Sequence, residues 1–264
     1  MLVCRTIVTD QPPPAEQPVD HKEAASSGAI QASMSGLSEL RAPNLVDLVF
    51  EEVRKAILDK SLAPGLRLTE AGLARHLNVS KTPVREALLR LRQIGLIEDN
   101  GRRGGRVIAP SHTAIEQAFE VREALEVFTA RAAAERATTT DRSAIALAAE
   151  RSLQGALAAD RNEFSRWDAV FHDRIAATAS NPRLAALVND TCALIATLRT
   201  RDLPHAQASV ECGHGHVAIA TAIQEQNADT AADGMRTHLR LVKRYVLEAL
   251  DDVLADENSG STNP

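Results

Sequence analysis

Apolar residues fall at helical spacing from Leu45 onward: Leu45, Val49, Val53, Ile57 and Leu58 predict one helix, closed by Pro64 and Gly65. Thr69 is a suitable N-cap before Glu70, and Leu73 with Leu77 marks the inner stripe of a short second helix ending at Asn78. Ser80 is the expected cap of a third helix, which carries Pro83 in its first turn and Val84, Leu88 and Leu91 on its inner face. Only Asn78 and Val79 then separate the second and third helices, the tight link of a helix-turn-helix. After Gly95 the segment LIEDNGRRGGRVIAP reads as a short strand, a turn at Asn100 and Gly101, and a second strand at Val107 and Ile108 ended by Pro110. This is a β-hairpin wing. Beyond residue 112 the pattern is helical nearly to the end, roughly six helices, with breaks at 138–141, at Asn181 with Pro182, at 202–204 and at 227–229. The expected fold is mainly α: an N-terminal winged helix-turn-helix followed by an all-α helical-bundle domain.

Residues 1–43 are rich in Pro, Ser, Ala and Gln and show no sustained apolar period, so they are expected to be a disordered leader. Met34, just ahead of the first structured pattern, is an alternative start of translation that the intact mass of the natively expressed protein would decide. The expected organisation is a leader at 1–43, a DNA-binding domain at 44–110, an all-helical effector-binding and dimerisation domain at 111–256, and a flexible polar tail at 257–264.

Composition narrows the class. Of 264 residues 44% are hydrophobic and only 3% aromatic, which favours helix formers and disfavours β-sandwiches and barrels. Charges interrupt every apolar run well before the ~18 residues of a membrane span, and no secretion signal precedes the first pattern, so the expectation is a soluble cytoplasmic protein without a membrane partner. Cys4, Cys192 and Cys212 are odd in number and lack a CxxC, which argues against a disulfide framework or a cysteine zinc site and for buried or idle thiols. The net charge of -5 conceals a basic segment: residues 75–106 hold eight Lys or Arg against three Asp or Glu. Phosphates respond to that local patch, because screening removes interactions beyond about 10 Å.

The second helix of a helix-turn-helix places its N-terminal residues at base edges, while hydroxyls and amides at its start hold phosphates. Here those residues are Ser80, Lys81, Thr82, Pro83 and Arg85. Arg85 can present its fork to guanine O6 and N7, worth ~1–3 kcal/mol of discrimination. Lys81, Arg90 and the wing residues Arg102, Arg103 and Gly104 are expected to meet the phosphate backbone.

The run LVFEEVRKAILDKSLAPGLRLTEAGLARHLNVSKTPVREALLRLRQIGLIEDNGRRGGRVI resembles the winged helix-turn-helix of GntR-family transcriptional regulators, with NVSKTPVREALLRL as its specific core. The family more often has Arg where this chain has Lys81, which exchanges a bidentate base contact for a point-charge phosphate contact. VREALEVFTARAAAERAT extends the resemblance into the FadR-type subgroup with its all-helical effector domain, over about residues 44–252 in all.

Asp168 and His172, four apart in RWDAVFHDRI, share a helix face and can grip one ion. His216 and His238 would lie ~33 Å apart on one unbroken helix at 1.5 Å per residue. Asn227, however, lies eleven residues from each, so an antiparallel helix pair brings both imidazoles to one height. DAVFHDRI, GHVAIATAI and GMRTHL are similar to the metal-binding segments of the subgroup, and by that resemblance Asp168, His172, His216 and His238 are the ligands. Three imidazoles and one carboxylate suit zinc, with nickel or another transition metal as alternatives. His214 turns away from His216 on a helix and is set aside with His21, His76, His112 and His205. The subgroup takes small carboxylates or sugar acids beside this metal, which implies an arginine clamp at Arg122, with Arg199 as a second candidate.

The leading reading is therefore a homodimeric repressor of a double-stranded DNA operator, modulated by a small carboxylate effector. The alternative is a metal-dependent hydrolase, with Glu163 or Asp173 as candidate bases. Four protein ligands leave little room for a reactive water, and helical geometry turns Asp173 about 100° from His172.

Overall fold

The computed structural model describes residues 44–99, 104–200 and 206–260. The elements run α1 (Leu45–Leu58), β1 (Arg67–Thr69), α2 (Glu70–His76), α3 (Lys81–Gln93), β2 (Ile97–Glu98), β3 (Gly104–Val107), α4 (His112–Arg136), α5 (Thr139–Leu157), α6 (Arg161–Thr178), α7 (Pro182–Leu198), α8 (Ala206–Gln224) and α9 (Ala228–Gly260).

In the head, α1 and α3 close over a core of Val53, Ile57, Val84, Leu88, Leu91, Leu96 and Val107. Thr69 caps α2 by accepting from Gly72 N at 3.0 Å, and Asn78 turns the chain at φ 54 between the two helices. Ser80 occupies the N-cap position of α3, but its side chain makes no cap hydrogen bond, unlike the expectation. The wing is a three-stranded antiparallel sheet in the order β1-β3-β2, one strand more than the sequence predicts. β1 was illegible because three residues, Arg-Leu-Thr, are too few to show a period. Gly104, at φ 132, lies where a Cβ would come within 2.2 Å of the Leu68 carbonyl oxygen, so only glycine allows β3 to pair with β1 there.

The remaining six helices bury two apolar cores. One gathers Ile145, Phe171, Ile175, Ile219, Ile223 and Met235, the other Ile115, Phe119, Phe164, Ile195, Val242 and Val246. The 25-residue α4 runs along α9 and also meets α6 and α7. Caps explain the breaks: Thr138 with Asp141 forms a capping box, Asn181 accepts from Leu184 N ahead of Pro182, and Asn227 accepts from Thr230 N. One break has no counterpart in the sequence reading. Between α5 and α6, Ala159 takes φ 53 and Asp160 caps α6 through Asn162 N and Glu163 N. At the other end α9 continues helically to Gly260, into the segment expected to be a flexible tail.

The head touches the bundle through α7. Leu194 packs into cores on both sides, and Lys60 Nζ donates to the Arg199 carbonyl at 3.0 Å. No helix of the described residues is long and apolar enough to cross a membrane.

Candidate metal centre and DNA-reading face

Three helices bring together the four side chains that the sequence singles out. α6 supplies Asp168 and His172, α8 His216 and α9 His238. The antiparallel α8–α9 pair sets the His216 and His238 rings 4.6 Å apart, and each lies 5.4 Å from the His172 ring. All three imidazoles are 3% exposed or less, and one ring nitrogen of each lies within 4.8 Å of the others.

Hydrogen bonding fixes which nitrogens face inward. Ser152 spends its hydroxyl proton on the Ala149 carbonyl at 2.9 Å, so the Ser152 oxygen accepts from His216 Nδ1 at 2.8 Å. His216 Nε2 thereby presents a lone pair, 3.4 Å from an Asp168 carboxylate oxygen and 3.7 Å from Cys212 Sγ. His172 Nδ1 donates to buried Glu126, which leaves His172 Nε2 without a partner, and His238 Nε2 is likewise unpaired and buried. Two acceptors facing each other at 3.4 Å without a shared proton repel unless a cation lies between them. Two donors about 2.0–2.1 Å from a tetrahedral ion are themselves about 3.4 Å apart, so the side chains present fit a divalent metal.

Electrostatics agree. Burial pushes His216 down to about 3, and burial together with the neighbouring His216 and His172 pushes His238 well below its usual range. Both rings are therefore neutral, the form that binds metal. Burial alone would raise Asp168, but the neighbouring bases, with Arg199 and Arg122 as the permanent positive charges among them, outweigh it and keep the carboxylate ionised. Glu126 follows the same balance: burial opposes ionisation, while Arg122 and His172 hold its carboxyl at about 2.

The two arginines of the expected clamp differ in surroundings. Arg122 is 4% exposed and donates through Nε to Glu126, so its charge is already matched. Arg199, at the C-terminal cap of α7, has a buried Nε with no hydrogen-bond partner and acts electrostatically on Asp168 and Cys212. Exposed His214 lies outside the cluster, and His112 pairs instead with Asp251. His21 and His205 lie outside the described residues. Glu126 and Ser152, which orient two of the histidines, escaped the sequence reading. Glu126 had a local signal, standing four residues after Arg122 on one helix face, whereas Ser152 is 64 residues from His216 and had none.

On the head, Ser80, Lys81, Thr82 and Arg85 are exposed at the start of α3. Arg85 does not pair with Glu86; its fork grips Glu70 of α2 through two bonds of 3.1 Å. Three other residues expected at the DNA have further partners or burial within the head. Pro83 is buried under the first turn of α3. Arg90 lies over the Phe50 ring and pairs with Asp47 at 2.6 Å, which ties α3 to α1 and occupies its charge. Gly104 is buried, and its carbonyl accepts from Arg92 Nη2 at 2.7 Å. Arg102 and Arg103 lie outside the described residues.

Residues 45–107 match the family described as bacterial regulatory proteins, gntR family, and residues 117–241 match the FCD domain. The repressor NanR of Citrobacter rodentium is 30% identical over 244 residues, covering 83% of this chain and 92% of that protein. The chain belongs to the GntR family. The repressor RspR of Escherichia coli K12 is 26% identical over 202 residues, 75% of this chain and 87% of its own length. Among solved structures, Escherichia coli McbR/YncC aligns with a TM-score of 0.65 at 18% identity, over 78% of this chain and 99% of that one. A GntR regulator from Rhodococcus sp. RHA1 aligns at 0.61 and 24%, over 77% and 98%. Those two establish the shared fold. GntR membership of the FadR type makes the chain a DNA-binding transcriptional regulator with repressor-named relatives, not a hydrolase.

Proposed function

We propose that this GntR protein is a homodimeric cytoplasmic repressor whose hold on its operator is modulated by a small carboxylate or sugar acid bound beside a divalent metal, zinc by preference. The observation that carries the reading is the buried cluster of His172, His216 and His238, with the Nε2 atoms of His172 and His238 lacking hydrogen-bond partners, beside an ionised Asp168.

Asp168, His172, His216 and His238 would hold the metal, which supplies a Lewis-acidic position for a carboxylate oxygen. The buried Nε of Arg199 offers a charge-assisted donor to the same anion and is the better-suited clamp, since Glu126 already engages Arg122. An anion held by Arg199 acts on the residue whose carbonyl Lys60 of the head grips, so occupancy bears on the head directly. Differential affinity for two arrangements of the head would turn that pull into regulation. On the operator, Lys81, Thr82 and the uncapped Ser80 hydroxyl would meet phosphates, and Arg85 a base edge. The exposed Val121 and Phe128, seven residues apart on α4, provide an apolar stripe that a second copy would cover.

A thermal-shift screen against small carboxylates and sugar acids, run with metal retained and after chelation, tests this reading. A ligand at about 100 times its Kd stabilises by about 2.7 kcal/mol, and the rise should depend on the metal. A protein indifferent both to chelation and to every carboxylate would refute it.

A further inference from the structure

Cys212 sits one helical turn before His216 on α8 and is 2% exposed. Its neighbours are unusual for a buried thiol, which ordinarily behaves as a small hydrophobe. Sγ lies 3.7 Å from His216 Nε2, 3.9 Å from an Asp168 oxygen and 3.9 Å from His238 Nδ1. Asp168, Cys212 and His216 form a cluster of donors within 4.8 Å of one another, and it shares His216 with the three-histidine cluster. A sulfur at about 2.3 Å and an imidazole nitrogen at about 2.05 Å from one ion stand about 3.1 Å apart at a 90° angle and about 3.8 Å at 120°, the range of a five-coordinate centre, and the Sγ–Nε2 separation here falls within it.

Resting on the metal reading above, we propose that Cys212 is a ligand of the same ion, making this a mixed thiolate, imidazole and carboxylate centre. The buried Nε2 atoms of His172 and His238, without hydrogen-bond partners, belong to the histidine cluster that meets the Cys212 cluster at His216, and they are the independent sign of a cation there. Binding replaces the S–H bond by a sulfur–metal bond and releases the proton to solvent, as for any thiol that coordinates. A thiolate is a soft donor, so the centre selects zinc, cobalt or another thiophilic ion over manganese and magnesium. The sequence pattern could not announce this, because without a CxxC a single cysteine carries no spacing signal.

Cobalt(II) titrated anaerobically into the full-length, metal-free protein decides the matter. The account expects visible ligand-field bands together with a near-ultraviolet thiolate-to-cobalt charge-transfer band. Cys212→Ser should lose the charge-transfer band and keep the visible bands, whereas Cys192→Ser and Cys4→Ser should keep both. Zinc affinity of Cys212→Ser should fall at least as far as on loss of an outer-shell partner, about 10–100-fold, with manganese affinity far less affected. Visible bands without charge transfer in the wild-type protein, or a charge-transfer band that survives Cys212→Ser, would overturn the thiolate and leave the metal reading standing. No cobalt binding at all would overturn both. The wild-type spectrum is decisive even if Cys212→Ser does not fold.

Discussion

The carboxylate of Glu126, 1% exposed, accepts from His172 Nδ1 and thereby turns His172 Nε2 toward His216 and His238. Its other oxygen accepts from Arg122 Nε, so one buried acid both orients a proposed metal ligand and balances a buried base. Glu126→Gln preserves shape but weakens the orienting bond, and zinc affinity is expected to drop about 10–100-fold in a competition titration. Glu126→Ala leaves Arg122 buried without its counter-charge and should cost about 3–5 kcal/mol in denaturant unfolding. Equal zinc affinity in wild type and Glu126→Gln would remove Glu126 from the centre.

The head separates two cations that composition alone treats alike. Lys81 is exposed at the start of α3, whereas Arg90 is held by Asp47 and Phe50. Lys81→Ala should weaken binding to all DNA sequences and reduce the slope of log affinity against log salt by about 1. Arg90→Ala should leave that slope unchanged and lower the melting temperature instead. A salt slope that falls equally for both would contradict the assignment.

Much of this architecture was legible because the decisive patterns are local. The spacing of Val84, Leu88 and Leu91, the short link at Asn78 and the equal arms about Asn227 each follow from helix geometry over a few turns. What stayed hidden depends on pairs remote in sequence. Arg85 with Glu70, Arg90 with Asp47 and His216 with Ser152 span 15, 43 and 64 residues, and helical periodicity says nothing of such partners. Gly104 shows a role the pattern could not: it permits close approach of the neighbouring strand β1.

Stability of the metal-free protein should fall as the medium is acidified. His216 is held at about 3 in the folded state against 6.5 for a free histidine, and His238 is also strongly lowered. Above pH 6.5 both are neutral folded or unfolded; below it the unfolded chain takes protons that the folded chain refuses. Stability is thus intact above that value and is lost on descent toward pH 3, by about 1.4 kcal/mol per pH unit per histidine. Denaturant unfolding of chelated protein at several pH values measures the slope; a flat profile between pH 6 and 4 would contradict the buried, neutral rings.

The bond from Lys60 Nζ to the Arg199 carbonyl links head and bundle. Lys60→Ala should leave affinity for the operator almost unchanged in the absence of effector and shrink the change that an effector produces. An undiminished response would show that the signal crosses elsewhere, for example through Leu194.

In the proposed mechanism a carboxylate acts on the DNA head through the metal centre. Fluorescence anisotropy of the labelled operator with full-length protein, zinc-loaded and chelated, against a panel of small carboxylates tests it most directly. At least one carboxylate should shift operator affinity of the zinc-loaded protein by about 5–150-fold, and chelation or His238→Ala should abolish the shift. An equal shift with and without metal, or none across the panel in either state, would contradict it.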